Sequence, residues 1–487
     1  MSTASNVLLI MSDEHRRDVM GAYGNAVAHT PNLDTLAGRG IRFDNAYCNF
    51  PICVPSRASF VTGRYAHTIG AWDNATPYQG TEAPSWGHRA GRGGCHVTTI
   101  GKLHFRSRDD DTGFADQRLP LHVTAGIGDL FGCLKDPVPR SRNYLDNARR
   151  ASTGDSEYLR YDAAIADMAV NWLRHEAITR QEPWCLWVSF VLPHPPFVCP
   201  TEYAELIPVD EIPDPIQGDA TLWPDHPHIE AYRTARIQDP DEQMTAKEIR
   251  EARRIYYGMC AYMDAQVGRV LEALDSSGQA DHTRVIYVSD HGEMLGDFGL
   301  WGKNNMYEPS AAVPLLMAGP DLATRVVDTP VSLVDLYPTI LEALGLPADR
   351  DDMDVPGTSL LEIAGDDVPR SRPVLAEYHA SGYERAVFMW RRDDLKYVHH
   401  VGHRPQLFDL ASDPDERHDL AGEPLYADRL IALERELRAA VNPDAVECTA
   451  KLDQRRRIDG YGGADALRVS GPSFTHTRAP DRFHQPN

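Results

Sequence analysis

An α/β fold with a buried, mostly parallel sheet, followed by a smaller α+β region, is predicted by three features of this sequence. Short apolar runs at residues 7–11, 184–192 and 285–288 are rich in branched and aromatic side chains, the composition of strands covered on both faces. Amphipathic helical patterns lie between and after them at 161–176, 246–274 and 332–344, the last stopped by Gly345. From about Arg372 the texture changes to short strands at 374–377, 386–390, 395–398 and 407–410. The turn Asp413-Pro414-Asp415 and a helix at 426–440 then follow.

Each apolar run ends in a polar burst. The first gives Ser12-Asp13-Glu14, the second Pro193-His194-Pro195-Pro196, and the third Ser289-Asp290-His291-Gly292. Open parallel sheets bind ligands beyond the carboxyl ends of their strands, so the three bursts are expected to meet in one crevice. Any one of them alone reads equally well as strand-to-loop punctuation. The chain divides into a large α/β unit at 1–371, a small antiparallel-sheet unit at 372–445 and a tail at 446–487. The tail is rich in Arg, Gly, Pro and Ser and is expected to need a partner surface for order.

The bulk numbers narrow the function. With 487 residues, 42% hydrophobic and 25% charged, the chain has the balance of a globular protein with a full core. A net charge of −22 argues against a nucleic-acid partner, because neutralising phosphates needs a basic surface. An anionic small molecule is still compatible, since a few buried cations can hold it locally. The apolar run at 7–11 is too short for a signal-peptide core, and no stretch approaches a membrane span. A cytoplasmic location without membrane association is therefore expected. The eight cysteines are scattered and read mostly as core thiols, with no zinc-like spacing.

The informative stretch is Cys53-Val54-Pro55-Ser56-Arg57-Ala58-Ser59-Phe60-Val61-Thr62-Gly63-Arg64. Pro55 suits the start of a helix, which puts Cys53 at a helix N-terminus with Arg57 one turn on. A thiol in that setting is expected to have a lowered pKa and to be reactive. The alternative is a buried structural thiol.

Cys-x-Pro-Ser-Arg followed by Ala-Ser-x-x-Thr-Gly-Arg resembles the signature of the type I sulfatases, in which the cysteine is oxidised to formylglycine. The resemblance extends along nearly the whole chain. Asn6 to Asp13 is similar to the family's first strand and metal motif, and Thr30 to Ala37 to its next helix. Gly101-Lys102-Leu103-His104-Phe105 is similar to its Gly-Lys-x-His element, and Leu407 to Glu416 to a stretch of its C-terminal domain. Departures are Asp13-Glu14 for the usual Asp-Asp, Asp290-His291 for Asp-Asn, Cys95 for Tyr and Ala312 for Arg. The Asp-His pair, the Lys-x-His-Phe element and Asp73-Asn74 look most like the branch of choline sulfatases and phosphonate monoester hydrolases.

The resemblance implies an alkaline-phosphatase-like α/β/α sandwich, with 1–371 as catalytic domain, and hydrolysis of sulfate monoesters of aryl, alkyl or choline type. It implies one divalent metal ion, Ca2+ or Mn2+, held by Asp13, Glu14, residue 53, Asp290 and His291. These supply hard oxygen donors and one imidazole. A formylglycine hydrate at position 53 would attack sulfur and give a covalent sulfoenzyme. Arg57 and Lys102 would orient the hydrate and the metal carboxylates, and Asn74, Lys102, His194 and Lys303 would bind the sulfuryl oxygens. Lys303 or His194 would protonate the leaving alcohol, and His104 would take the proton that lets sulfate depart. The implied partners are a small anionic ester and a formylglycine-generating enzyme. The tail implies a homodimer or homotetramer. Two alternatives stay open, a phosphonate monoester or phosphodiester hydrolase with the same nucleophile, and a non-catalytic metal-binding homologue with unmodified Cys53. His399, His400 and His403 read as structural, and the pocket wall is expected to draw on loops 71–86, 125–144 and 197–228.

Overall fold

Every side chain of strand β1 (Asn6–Asp13) is buried, and the strand's two-residue repeat decides which layer each one joins. Val7, Leu9 and Met11 face a core shared with Phe60, Trp86 and Tyr337, whereas Leu8 and Ile10 face one built on Trp172, Ile255 and Tyr256. A strand that is apolar on both sides needs helices on both sides. The computed structural model, which describes residues 5–236, 244–368, 370–471 and 477–480, has that arrangement.

The main sheet adds β2 (Ile41–Phe43), β3 (His96–Lys102), β4 (Asp116–Leu121), β5 (Trp184–Pro193), β6 (Thr283–Ser289), β7 (Leu315–Ala318) and β8 (Arg325–Val327). Its order is β8-β2-β7-β6-β1-β5-β3-β4. All pairs are parallel except those that β7 makes with β6 and β2. One face carries α1 (Cys53–Thr62), whose ten residues are all buried. The other carries α2 (Glu157–His175) and, after the short α3 (Pro227–Ala235), the long α4 (Ala246–Ser276). This is the α/β/α sandwich with a mostly parallel sheet that the sequence predicts.

Caps explain where the helices depart from expectation. Helix α2 starts four residues before the predicted position 161, because the Ser156 hydroxyl accepts from the Leu159 N–H at 3.2 Å. Helix α4 opens on a reciprocal pair. Thr245 Oγ1 accepts from Glu248 N (3.2 Å) while Glu248 Oε2 accepts from Thr245 N (2.7 Å). The predicted helix at 332–344 is shorter than expected. Asp335 Oδ2 ties back to Ser332 N (2.7 Å), so Leu333–Asp335 form a tight turn and α5 runs over Leu336–Ala343.

A second sheet of four antiparallel strands follows, β9 (Pro373–Tyr378), β10 (Val387–Arg392), β11 (Leu395–His400) and β12 (Gln406–Asp409). One face packs Phe388, Trp390 and Leu407 against Leu433 and Leu437 of α6 (Ala427–Ala440). The other face, with Ala376, Met389 and Val398, joins the core of the main sheet. Buried charges cross the same seam, where Lys396 Nζ reaches Glu308 (2.9 Å) and Glu416 (2.8 Å).

The tail departs from expectation in its first half. Residues 443–470 form α7 (Pro443–Gly460) and α8 (Ala464–Ser470), which fold onto their own chain. Gln454 donates to Asp73 Oδ2 (2.8 Å) and to the His379 carbonyl (3.0 Å). Ile458 packs with Ala75, Leu130 and Cys133. The buried residues of α7, Pro443, Glu447, Ala450, Gln454 and Ile458, mix polar with apolar and so do not register as an apolar stripe in the sequence. Residues 472–476 and 481–487 of the predicted tail lie outside the described residues. Among the described residues, no helix is long and apolar enough to cross a membrane.

Candidate active site

The site stands where parallel strands end. β1 delivers Asp13, β6 leads into Asp290 and His291, β5 into His194, and β3 ends on Lys102. Helix α1 brings Cys53 against this row. Ligand atoms of Asp13, Cys53, Asp290 and His291 all lie within 4.8 Å of one another, and those of Asp13, Glu14 and His194 do likewise. The three polar bursts thus meet in one crevice.

Local backbone conformations aim these groups. Gly101 has φ +103°, and a Cβ there would lie 2.2 Å from the Ser189 carbonyl. Glycine alone lets β3 approach β5 so closely one residue before Lys102. Glu14 (φ 70°) and His104 (φ 58°) are non-glycine residues in the left-handed region. Such conformations cost about 1–3 kcal/mol each and persist only where the surroundings enforce them. Tyr256 contributes here by donating its hydroxyl to the Glu14 carbonyl (2.5 Å).

Arg57, fully buried, ties the carboxylates together. Its Nε donates to Asp290 Oδ2 (2.8 Å), Nη2 to Asp13 Oδ2 (3.2 Å), and Nη1 to the Lys102 carbonyl and Ser189 Oγ (2.8 and 2.9 Å). Lys102 Nζ pairs with Asp13 Oδ2 (2.5 Å) and Lys303 Nζ with Glu14 Oε2 (2.6 Å). Both ammonium groups also face the Cys53 sulfur, at 3.9 and 3.6 Å. His291 Nδ1 lies 3.1 Å from the Gly292 carbonyl, which can only accept. The ring proton therefore sits on Nδ1, and Nε2, 3.2 Å from Cys53 Sγ, turns a lone pair to the cluster. Burial holds His291 at about 3 and so unprotonated.

One expectation is corrected. The Cys53 thiol is pushed up to about 12, not lowered, because burial and the Asp13 carboxylate outweigh Lys102 and Lys303. The helix dipole is too weak to reverse this. Helix α1 also starts at Cys53 itself, so Pro55 occupies its third position, where no intrahelical N–H is yet required. An unmodified Cys53 is thus a poor thiolate nucleophile.

The donors suit a hard dication. Three carboxylates and a neutral imidazole converge, and burial together with Asp13 pushes the Asp290 carboxyl up. Burial raises Glu14 too, although Lys303 opposes it, and its Oε1 has no hydrogen-bond partner among the described residues. Crowded buried acids with an orphaned oxygen are the environment a bound cation relieves.

Cys53, Asn74, Lys102, His104, His194 and Lys303 all line one cleft. Asn74 Oδ1 accepts from Val54 N (3.2 Å), His194 Nδ1 contacts the Pro195 carbonyl (2.7 Å), and its Nε2 lies 3.7 Å from Glu14. Burial, reinforced by Lys102 and Arg57, lowers His104, whose Nε2 meets Thr477 Oγ1 at 3.1 Å. The wall draws on 71–86 and 125–144 as expected, but 197–228 supplies none of its described lining residues. His399, His400 and His403 stay outside the cleft: His400 is buried against His226 and His228, half-buried His403 stacks on His228, and His399 meets the Tyr397 hydroxyl. Several contributors escaped sequence reading. Tyr158, Arg236 and Thr477 line the cleft, and Ser189 braces Arg57. Glu293 accepts from Gly302 N (2.6 Å) and so shapes the loop of Lys303. Only Glu293 carried a signal, as an extension of the third polar burst.

Comparison with known proteins agrees with this geometry. A model of the family described as Sulfatase matches residues 5–346, and one described as N-sulphoglucosamine sulphohydrolase, C-terminal, matches 296–442. The chain is 32% identical to a choline-sulfatase of Rhizobium meliloti (strain 1021), over 95% of this chain and 91% of that protein. It is 30% identical to arylsulfatase K of Homo sapiens, over 99% and 90%. A phosphonate monoester hydrolase of Agrobacterium radiobacter superposes with a TM-score of 0.70 at 25% identity, over 89% and 95% of the two chains. A family match over more than two thirds of the chain, on a site where Cys53, carboxylates and lysines converge, makes this protein a member of the type I sulfatase family, the sulfuric ester hydrolases of the alkaline phosphatase superfamily.

Proposed function

We propose that this chain hydrolyses sulfate monoesters, using a formylglycine made from Cys53 as nucleophile and passing through a covalent sulfoenzyme. The observation that supports this best is the position of residue 53. It is buried at the head of α1, with two lysine ammonium groups within 3.9 Å of its sulfur and a cage of acids behind it. An aldehyde hydrate there would be an oxygen nucleophile that needs no thiolate.

Asp13, Glu14, Asp290 and His291 would hold one divalent ion, Mn2+ or Ca2+. When bound, it supplies positive charge that acidifies a coordinated hydroxyl and offsets the buried acids. The chain's own groups do the rest. Arg57 locks the Asp13 and Asp290 carboxylates. Lys102, Lys303 and Asn74 bind the sulfuryl oxygens. Lys303 carries a proton to the leaving alcohol, while His194, kept neutral by burial and the two lysines and with its Nδ1 proton committed to Pro195, turns an accepting Nε2 to the substrate. His104, kept neutral by burial and nearby cations, accepts the proton whose removal releases sulfate.

Mass spectrometry of the Cys53 peptide, from protein made beside a formylglycine-generating enzyme, tests the nucleophile. A free thiol alone would favour a non-catalytic metal-binding role. The likeness to the Agrobacterium phosphonate monoester hydrolase favours one second reading, the same nucleophile acting on phosphonate monoesters or phosphodiesters. Comparing kcat/KM for aryl sulfate and phenyl phosphonate esters separates the two, and a phosphonate preference of about a hundredfold would overturn the first choice. Chelation gives another expected outcome. Removing the ion should abolish turnover and lower Tm, since an ion at about 100 times its Kd stabilises by about 2.7 kcal/mol. Mn2+ or Ca2+ should restore both. A Tm unmoved by chelator would argue against the cage.

A further inference from the structure

The wall of the cleft opposite the catalytic groups holds a second cation that the reaction at residue 53 does not use. Arg236 lies just past the end of α3 and is 7% exposed. Its hydrogen bond goes from Nη2 to Ser381 Oγ (2.8 Å). Among the described residues its Nε is buried without an acceptor and no carboxylate comes within ion-pairing distance of the guanidinium. Leaving a buried guanidinium half satisfied is costly unless something else fills the vacancy.

The group is nonetheless held firmly. Its guanidinium carbon sits 5.1 Å from the centre of the Tyr144 ring and 5.6 Å from that of Tyr232. Both tyrosines tie it to the Lys303 loop. Tyr232 donates to the Lys303 carbonyl (2.7 Å), and Tyr144 packs so tightly on Gly302 that a Cβ there would lie 2.6 Å from its ring. Gly382 keeps the approach open, because a Cβ at that position, already at φ +93°, would lie 3.0 Å from Arg236 Nε. Arg236, Ser381, Gly382 and Tyr144 line the same cleft as Cys53 and Lys303. The acid on this wall is Asp129. Its Oδ1 is taken by Gly132 N (3.1 Å), and burial and Asp73 push its carboxyl up against the opposing pull of Arg236.

We infer that Arg236 is a second anion subsite, and that the preferred sulfate ester carries a carboxylate on its alcohol. A preorganised guanidinium whose Nε has no acceptor among the described residues matches a carboxylate, and an uncharged or cationic alcohol would give it no anionic partner. This assignment rests on the sulfatase reading above.

Three aryl sulfates of similar leaving-group acidity test it on the mature, metal-loaded protein: 4-(carboxymethyl)phenyl sulfate, its amide, and the 4-(trimethylammoniomethyl) analogue. The carboxylate is expected to exceed the amide in kcat/KM by about 30-fold or more, with the ammonium ester lowest. In Arg236→Met the carboxylate-to-amide ratio should collapse to within about threefold, and Arg236→Lys should recover part of it. A wild-type preference for the amide or the ammonium ester overturns the subsite, even if Arg236→Met fails to fold. A ratio unchanged in a folded Arg236→Met variant does so too. Turnover of none of the three overturns the sulfatase reading itself, and the substrate assignment with it.

Discussion

Cys53→Ala is expected to lower turnover of any sulfate ester by about 10⁴-fold or more while leaving Tm within a few degrees of the wild type. The size of the loss follows from deleting the proposed nucleophile. Groups that act as a unit fail together, and what survives is only the binding contribution of the remaining residues. The fold should hold because the buried frame of the site does not pass through the sulfur. Arg57 still bridges Asp13 and Asp290, Lys102 still pairs with Asp13, and Lys303 with Glu14. The sulfur's neighbours at 3.2–3.9 Å are mostly bonded elsewhere. Steady-state kinetics beside a thermal melt checks both halves. Activity within tenfold of wild type would remove residue 53 from the chemistry.

Lys396→Met is expected to destabilise the protein by about 3–5 kcal/mol without touching the cleft. Lys396 is fully buried on β11 and neutralises Glu308 and Glu416, with Arg17 as a second partner for Glu308 at 3.0 Å. The Tyr47 hydroxyl also donates to Glu308 (2.9 Å), and Arg391 reaches Tyr47. Removing the lysine leaves Glu308 with Arg17 and Glu416 with no ion-pair partner among the described residues, both buried at the seam between the sheets.

The pH dependence has a definite sign. Burial alone would raise Glu308, but Lys396, Arg17 and Arg391 hold it below the ordinary glutamate value of 4.5. Its stabilising contribution is therefore complete above that value and is lost as pH falls through it and below. In Lys396→Met the unpaired acids instead favour their protonated forms. The gap between variant and wild type should thus narrow as pH drops from 7 to 4. Denaturant unfolding at a series of pH values measures it. A gap that widens on acidification would contradict the assigned charges.

The sequence by itself determined the layers and the contents of the site. Alternating burial along β1, with Val7, Leu9 and Met11 on one side and Leu8 and Ile10 on the other, follows from a continuous apolar run that only a two-sided cover can satisfy. The Cys-x-Pro-Ser-Arg segment and the polar ends of β1, β5 and β6 named the groups that meet, because chain direction in a parallel sheet sends all those ends to one edge. Only the tertiary structure decided the electrostatics. Desolvation depends on what covers a residue from afar, so the Cys53 thiol goes up where local helix geometry alone pointed down. It also decided the outer wall. Arg236 and Thr477 stand in segments without a motif, and Gln454 and Ile458 anchor a tail whose composition suggested otherwise. Contacts between residues hundreds of positions apart leave no local periodicity to read. The proposed Arg236 subsite stands on that wall, so it was written in the packing and not in the signature.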